Sequence, residues 1–275
     1  MDIKQIRNRI KSVDSTLHIT KAMKLVASSK IKRAEDNFRS LSFYSDSVGE
    51  TMRGLLSGEC KDSPFVTPAN AAAPVCYIMI EADRGLAGGY NSQINKLFEA
   101  QEGEKTVIPI GKRACDYCSR RGIEAPLSFS SSEHIDNDGI TAVADFISEA
   151  MENGEISGVK ILYTKYRNAL VQQAEVKELL PLKADAASPS LTEYEPSREA
   201  VLDYAVPMYL STTVRSAVRE SFLCEQYARR NAMDSATENA TDMIDSLSLQ
   251  YNRARQNSIT QEITEIVAGA NANAN

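Results

Sequence analysis

The sequence contains no run of 18 or more apolar residues, so an ordinary transmembrane helix is excluded. Its first eleven residues mix charged and apolar side chains, and they do not form the apolar segment of a secretion signal. We therefore expect a folded protein that stays on the cytosolic side of a membrane.

Cysteine and histidine are scarce. The five cysteines are an odd number and, without a secretion signal, are expected to be reduced thiols. Cys115 and Cys118 have C-x-x-C spacing, but a zinc site needs two more ligands, and His18 and His134 form no second pair. We expect structural thiols and no metal site.

The usual catalytic motifs are missing as well. The glycine-rich stretch from Gly85 to Gly89 lacks the Lys-Ser/Thr ending of a phosphate-binding loop, which favours a plain strand-to-helix turn. There is no nucleophile elbow, no H-E-x-x-H and no paired acid and base. We expect no catalytic residue, no cofactor and no direct small-molecule substrate. An α/β enzyme with helical arms stays open, and it would need a ligand at this turn.

Charge is distributed unevenly along the chain. Residues 1–39 carry ten Lys or Arg and four Asp or Glu, a net charge of +6, while the remainder carries 21 and 33, a net charge of −12. A basic arm on an acidic body indicates an anionic partner, either nucleic acid, a membrane surface or an acidic protein. A solvated basic face on a surface helix is the simpler alternative.

The N-terminal region has the pattern of a long coiled-coil helix. No Gly or Pro occurs in residues 1–48, and thirteen of sixteen positions spaced alternately by three and four are apolar. The sixteen positions are Ile3, Ile6, Ile10, Val13, Leu17, Thr20, Lys24, Ala27, Ile31, Ala34, Phe38, Leu41, Ser45, Val48, Met52 and Leu55. A helix over residues 2–57 would be about 80 Å long.

The C-terminal region predicts a second long helix. The 61 residues between Pro207 and Gly269 contain no Gly or Pro, and these two residues are suitable start and stop signals. Because neither long helix has another obvious partner, we expect them to pair as an antiparallel coiled coil with the middle of the chain attached at one end.

The middle of the chain alternates between strand and helix patterns, which predicts a small Rossmann-like α/β domain inserted between the long helices. The expected strands are 75–80, 106–110, 159–165 and 171–179, and the expected helices are 91–102, 112–121 and 140–151. The predicted boundaries are 1–57 for the N-terminal helix, 58–74 and 183–206 for linkers, 75–182 for the α/β domain, 207–270 for the C-terminal helix and 271–275 for a disordered tail.

Three segments of the chain carry distinctive motifs. The segment Ile19-Thr-Lys-Ala-Met-Lys-Leu-Val-Ala-Ser-Ser-Lys30 is similar to the N-terminal helix of the gamma subunit of F-type ATP synthase. The segment Glu81-Ala-Asp-Arg-Gly-Leu-Ala-Gly-Gly-Tyr-Asn91 resembles the family's Asp-Arg-Gly-Leu-x-Gly-x-x-Asn turn. The most specific match is Tyr251-Asn-Arg-Ala-Arg-Gln-Asn-Ser-Ile-Thr-Gln-Glu-Ile-Thr-Glu-Ile-Val-Ala-Gly-Ala270. The start at Met1 without a transit peptide fits the bacterial type.

The resemblance implies a rotor shaft in the central stalk. Its long helices would thread a hexamer of alpha and beta subunits, and its α/β domain would sit on the membrane c-subunit ring beside the epsilon subunit. Proton flow would turn the shaft, while ATP is made or hydrolysed on the beta subunits. The shaft would thereby regulate ATPase activity and proton flow, at the cytoplasmic face of the cell membrane and without binding nucleic acid.

The resemblance also implies roles for particular residues. The positions matching the family's partner-contact and coupling positions are Met23, Lys24, Arg229, Arg255, Gln256, Thr260, Glu262 and Glu265. The end of such a shaft is expected to turn on an apolar bearing, formed here by the apolar residues Ile259, Ile263, Ile266 and Val267. The alternative is a non-rotary coiled-coil adaptor whose basic arm binds nucleic acid or an anionic membrane, which predicts salt-sensitive binding by the isolated chain.

Overall fold

The computed structural model describes residues 3–56, 63–183 and 194–273, with side chains up to residue 268. The chain divides into two compact units. We call Met1–Val26 together with Arg230–Asn275 the helical unit, and Ala27–Arg229 the body. Helices α1 (Ile3–Leu55) and α5 (Arg198–Asn273) contribute to both units.

The helical unit is an antiparallel pair of helices. The Thr237 hydroxyl donates a hydrogen bond to the Thr20 hydroxyl at 2.9 Å, and Lys24 forms an ion pair with Asp234. Residue numbers rise on α1 where they fall on α5, so the two helices run in opposite directions. The prediction that the two long helices pair, with an α/β domain inserted between them in the sequence, is confirmed.

The heptad pattern on α1 explains this pairing. All sixteen of the positions identified by spacing are buried or half-buried, and none is exposed. On α5 a matching seam carries the buried residues Met233, Ala240 and Leu247. A sustained apolar repeat of 3.5 residues keeps one stripe of each helix against the other.

The body contains a four-stranded sheet in the order β2-β1-β3-β4. The elements, in chain order, are β1 (Val75–Ile80), α2 (Tyr90–Glu99), β2 (Lys105–Ile110), α3 (Lys112–Arg121), α4 (Asn137–Glu152), β3 (Gly158–Tyr166) and β4 (Gln172–Leu180). Strand β1 is parallel to β2 and β3, with Val75 opposite Lys105 on one side and Gly158 on the other. Strand β4 is antiparallel to β3 and forms an edge of the sheet.

Alternation of side chains along the strands creates two apolar cores. Tyr77 and Met79 of β1 pack with α2 and α3 through Ile94, Phe98 and Tyr117. The intervening β1 side chains belong to the opposite core, which also contains residues from α1, α4 and α5. Because helices cover both faces of the parallel strands, β1 is apolar throughout rather than alternating with polar residues.

The start of α5 is a correction to the predicted boundary at Pro207. The helix begins at Arg198, and Pro207 lies inside it, so residues 198–206 are not a linker. The signal at the real start is Ser197, whose hydroxyl accepts a hydrogen bond from the Ala200 amide at 3.2 Å, as N-cap residues do. Leu202 and Val206 are fully buried, and this packing outweighs the cost of an internal proline.

The strands and helices of the body begin and end within three residues of the predicted positions, while the predicted domain boundaries stay predictions. Helix α5 continues to Asn273, into the tail predicted as disordered, while residues 274–275 lie outside the described part of the chain. The predicted linkers are described only in part, because residues 57–62 and 184–193 also lie outside it. Within the described residues, no helix combines the length and apolar character that a membrane span requires.

Candidate partner-binding surfaces and the anchored glycine turn

The end of α5 extends past its partner helix. Thr20 lies opposite Thr237 and Lys24 opposite Asp234, pairs whose numbers sum to 257 and 258. The same register places Ile3 opposite residues 254 and 255. From Arg255 to Ala268 every side chain is exposed except Ser258, which is half-buried. The matched tip positions therefore lie on a part of α5 without a partner helix in the described residues.

The apolar face of α5 changes direction at this point. The seam consists of Met233, Thr237, Ala240, Ile244, Leu247, Tyr251, Ala254 and Ser258, none of which is exposed, and it faces α1 up to Ala254. Its next positions, Gln261 and Glu265, are polar. Ile259, Ile263 and Ile266 instead form a separate stripe, rotated by about 100° because it begins one residue after the seam position 258.

This separate stripe is open to solvent. Ile259, Ile263 and Ile266 are 47%, 56% and 71% exposed, and the adjacent Val267 is 53% exposed. Together the four residues form what we call the apolar tip. The structure places these residues at the unpaired end of α5, while their role as a bearing stays a prediction.

The polar residues of the tip bond only within their own helix. The Thr260 hydroxyl donates to the Gln256 carbonyl at 2.9 Å, and Ser258 donates to the Glu262 carboxylate at 3.4 Å. Glu265 accepts from Gln261 at 2.9 Å. The exposed Arg255 has no ion pair or hydrogen bond within the described residues. The Arg255 side chain can therefore contact a surrounding partner without breaking a contact within the described residues.

Met23 and Lys24 lie where the two helices still pair. Met23 is half-buried, and the Lys24 side chain is 40% exposed beside Asp234, which is 48% exposed. Exposed ion pairs of this kind contribute at most about 1 kcal/mol. Lys24 consequently presents part of its positive charge outward while it also holds α5.

Three large apolar residues close to Met23 and Lys24 in the sequence were not singled out in the sequence analysis. Ile19, Leu25 and Val26 are 60%, 71% and 58% exposed on α1. They lie outside the heptad seam, and this mismatch was visible in the sequence. Together with Met23 they give the basic arm an apolar surface.

Arg229 occupies a different environment from the other matched residues. It is buried, and its guanidinium contacts the Glu225 carboxylate at 2.7 Å. It also donates to the carbonyl oxygens of Arg84 and Gly85 at 3.2 and 3.3 Å. Arg229 therefore ties α5 to the glycine turn that follows β1, and its side chain is not part of an exposed contact surface.

The glycine turn is also anchored through Asp83. Its carboxylate accepts hydrogen bonds from the Ser131 hydroxyl and from the Ser132 amide, both at 2.7 Å. Burial raises the pKa of Asp83, but these hydrogen bonds outweigh it and hold the pKa below its usual value. Leu86 and Gly88 have positive φ angles of 63° and 60°, as a tight strand-to-helix connection requires.

A buried carboxyl at the end of β1 was missed in the sequence. Glu81 is 1% exposed, and burial raises its pKa to about 8, although the charges of Arg113 and Arg120 act in the opposite direction. The neighbouring Gly111 permits a close approach, since a β-carbon there would lie 2.1 Å from the Glu81 carbonyl oxygen. A single acidic residue after an apolar strand gives no sequence signal of such burial.

The C-x-x-C cysteines lie on α3 as free thiols. Cys118 is buried, and burial raises its pKa to about 11. Burial also raises the pKa of the half-buried Cys115. Both thiols are thus less readily ionised than ordinary cysteines, which makes them weaker nucleophiles.

The sequence matches a known family over nearly its whole length. The profile of a family described as ATP synthase matches residues 2–272. The ATP synthase gamma chain of Brevibacillus brevis is 38% identical over 99% of each chain. A gamma chain from Acetobacterium woodii, described as sodium ion specific, is 36% identical over 98% of each chain.

Solved structures share the fold. The match to the Euglena gracilis mitochondrial ATP synthase rotor has a TM-score of 0.68 at 19% identity, covering 94% of this chain and 98% of that one. A second Euglena gracilis structure, containing F1 and the c-ring, matches with a TM-score of 0.71 at 18% identity, covering 98% of this chain and 94% of that one. Because the two gamma chains above are 38% and 36% identical over nearly the whole chain, the chain belongs to the family of ATP synthase gamma chains.

Proposed function

We propose that this chain is the central-stalk rotor of an F-type ATP synthase, coupling ion flow through a membrane ring to ATP synthesis or hydrolysis in an alpha–beta hexamer. The observation that carries the proposal is the apolar tip, an exposed stripe on a helix end that has left its paired seam. Burying such a stripe inside another protein is favourable, because apolar contact removes it from water.

The chemistry of the tip suits a rotating contact. Apolar contact is non-directional, so its energy changes little as one surface turns against another. Hydrogen bonds depend on distance and angle and would hold particular orientations. The Thr260 hydroxyl and the carboxylates of Glu262 and Glu265 already have hydrogen-bond partners within α5. The surrounding ring of alpha and beta subunits would therefore meet mainly apolar side chains at Ile259, Ile263, Ile266 and Val267.

The basic arm would contact acidic surfaces of the beta subunits. Five cations of α1 are exposed in the helical unit, namely Lys4, Arg7, Arg9, Lys11 and Lys21. Lys24 and Arg255 would add charge on their respective helices, while Met23, Leu25 and Val26 supply apolar contact. Charges in such an interface act on partner choice and kinetics more than on affinity.

The body would contact the c-subunit ring and the epsilon subunit. On α1 it exposes Phe43 and Tyr44, at 78% and 50%, and on α5 Tyr204 and Met208, at 84% and 43%. The Tyr44 hydroxyl and the Met208 sulfur are 4.0 Å apart, so the two helices share one exposed aromatic surface. Such residues are enriched at protein interfaces. This placement would make the chain a peripheral protein at the cytoplasmic face of the membrane.

We propose no catalytic role for the chain itself. The buried Arg229 holds the carbonyls of the glycine turn, which makes this turn a fixed connection between the sheet and α5. The non-rotary adaptor remains the second candidate, favoured only by the exposed cations of α1. It requires salt-sensitive binding of the isolated chain to nucleic acid or anionic vesicles.

Reversible cross-linking within the assembled complex tests the rotor proposal. Serine replaces the half-buried Cys115 and also Cys60, which lies outside the described residues. The buried Cys76, Cys118 and Cys224 are kept. Arg255→Cys is then joined by a disulfide to an engineered cysteine on a beta subunit. Glu102→Cys, on an exposed site of the body, serves as the control for nonspecific cross-linking.

We expect the Arg255→Cys cross-link to stop steady multisite ATP turnover and reduction to restore it, while the control gives no link to beta. Complete cross-linking with full coupled ion pumping would refute the rotor assignment. Hydrolysis of ATP by the purified chain alone would refute the non-catalytic assignment.

A further inference from the structure

A cleft in the body gathers four basic side chains. It has a volume of about 660 Å³ and lies between α1, α5 and the loop before α4. Lys30 and Arg33 come from α1, and Arg215 and Arg219 come from α5. These residues are nearly 200 positions apart in the sequence, so only the antiparallel packing of the helices brings them together.

Two carboxylates also line the cleft, and both are already engaged. The Lys30 ammonium group contacts both carboxylate oxygens of Glu133, at 2.7 and 2.9 Å. Asp136 caps α4 by accepting from the Gly139 amide at 2.8 Å. Four cations minus two carboxylates leaves a net charge of +2 with His134 neutral. The cleft therefore has uncompensated positive charge.

The arginines carry this excess. Neither Arg33 nor Arg215 has a hydrogen bond or ion pair within the described residues. Arg219 donates to the Glu133 backbone carbonyl at 3.0 Å. Burial, and after it the like charge of Arg215, lowers the pKa of Arg219. Two guanidinium groups thus repel each other in a partly desolvated cleft, and an anion between them would relieve this repulsion.

The loop wall of the cleft is held in place before any ligand arrives. Asp83 accepts from the Ser132 amide at 2.7 Å and from the Glu133 amide at 3.3 Å. Lys30 and Arg219 hold the side chain and the carbonyl of Glu133. A site whose walls are fixed loses less entropy when it binds.

We propose that this cleft binds an oxyanion of the phosphate class, either free inorganic phosphate or the phosphate groups of a nucleotide. Guanidinium groups match phosphate oxygens through paired, charge-assisted hydrogen bonds. Arg33 and Arg215 supply unused donors for this, and Arg219 reinforces them electrostatically. The cleft is separate from the Gly85–Gly89 turn. All of its lining residues come from this chain, so the proposal does not depend on the rotor role and can be tested on the isolated chain.

Titration calorimetry of the full-length chain tests the proposal. Inorganic phosphate and ADP are titrated separately at constant ionic strength into the wild type and into the variants Arg33→Gln and Arg215→Gln. The matched control is Arg39→Gln, which removes the same charge from an exposed site of α1 outside the cleft. Circular dichroism verifies that each variant is folded. Because Arg33 is exposed whereas Arg215 is half-buried, Arg33→Gln keeps the test valid if Arg215→Gln does not fold.

We expect saturable binding that weakens about tenfold in Arg33→Gln and Arg215→Gln, and less than about twofold in Arg39→Gln. Tighter binding of phosphate than of ADP would identify free phosphate as the ligand, and the reverse would identify a nucleotide. The proposal fails if neither ligand binds saturably, or if Arg39→Gln weakens binding as much as the cleft variants.

Discussion

At the scale of single residues, burial shifts the pKa values of several side chains, and no pattern in the sequence indicated these shifts. Burial raises the pKa of Glu225 to about 6, although its contact with Arg229 acts in the opposite direction. Arg229, matched to a coupling position, holds the glycine turn through two carbonyls, so a change there would act first on the fold. Breaking a buried ion pair by removing one partner costs about 3–5 kcal/mol.

We expect the buried Glu81 to make the free energy of unfolding depend on pH. Its pKa is about 8 in the folded chain, against about 4.5 for an ordinary glutamate, so the folded state binds the proton more tightly. Stability therefore falls as pH rises between these values, by about 1.4 kcal/mol per pH unit for this group. We expect Glu81→Gln to reduce this slope in urea unfolding measured from pH 5 to 8. The exposed Glu102→Gln should leave it intact, and equal slopes for Glu81→Gln and wild type would contradict the assignment.

Lys24 tests the electrostatics of the basic arm. Lys24→Glu places a negative charge beside Asp234, but both positions are partly exposed, so we expect a stability loss of at most about 1 kcal/mol. Coupling should change more, since the outward charge is reversed. The measurement is ATP hydrolysis and ion pumping by the reconstituted complex, with the exposed Lys21→Glu as the charge-matched comparison. If both activities decline only in proportion to lost complex, the effect is structural and the prediction is wrong.

At the scale of elements, α5 combines two kinds of apolar surface on one helix. Up to Ala254 its seam faces α1, and from Ile259 the apolar tip is open to solvent. The change needs only a shift of one residue in the apolar pattern. A helix of this kind is rigidified where it is paired and offers a partner surface where it is not.

Two substitutions separate these surfaces. Leu247→Ala removes a side chain that is 6% exposed, and we expect it to cost about 2–5 kcal/mol. Ile263→Ala removes one that is 56% exposed, and we expect a change within about 0.5 kcal/mol. Urea unfolding of the isolated chain, followed by circular dichroism, measures both. A comparable loss for the two variants would mean that the tip packs within the isolated chain.

At the scale of the whole molecule, the two units have different sources of stability. The body encloses β1 between two apolar cores, with every β1 residue after Val75 buried. In the helical unit, residues 255–268 have no partner helix in the described residues. A helix without tertiary packing is marginal in water.

Hydrogen exchange on the isolated chain should report this difference. We expect amides in residues 255–268 to exchange much faster than those of Val75–Ile80, because opening the strand requires disruption of the sheet. Assembly with the alpha–beta hexamer should slow exchange at the tip. Protection of the tip equal to that of the strand in the isolated chain would show that it is stabilised without a partner.

The sequence by itself determined the helices, the strand order along the chain and the family. Heptad spacing on α1 and apolar runs such as Val75–Ile80 are local patterns, and helix and strand periodicity respond to them directly. The sequence also predicted an apolar tip at Ile259, Ile263 and Ile266, but its position beyond the partner helix was decided by the tertiary structure. Pro207 misled the prediction because it is a strong local signal, whereas the burial of Leu202 and Val206 depends on the rest of the body.

Only the tertiary structure decided the burial of Glu81, the anchoring role of Arg229 and the cleft that contains Arg33 and Arg215. Each depends on contacts between residues far apart in the chain, such as Arg229 with Arg84 and Lys30 with Glu133. Sequence spacing carries no information on such distances. Desolvation and charge proximity, which set ionisation and ligand affinity, arise only when the helices and the sheet are packed together.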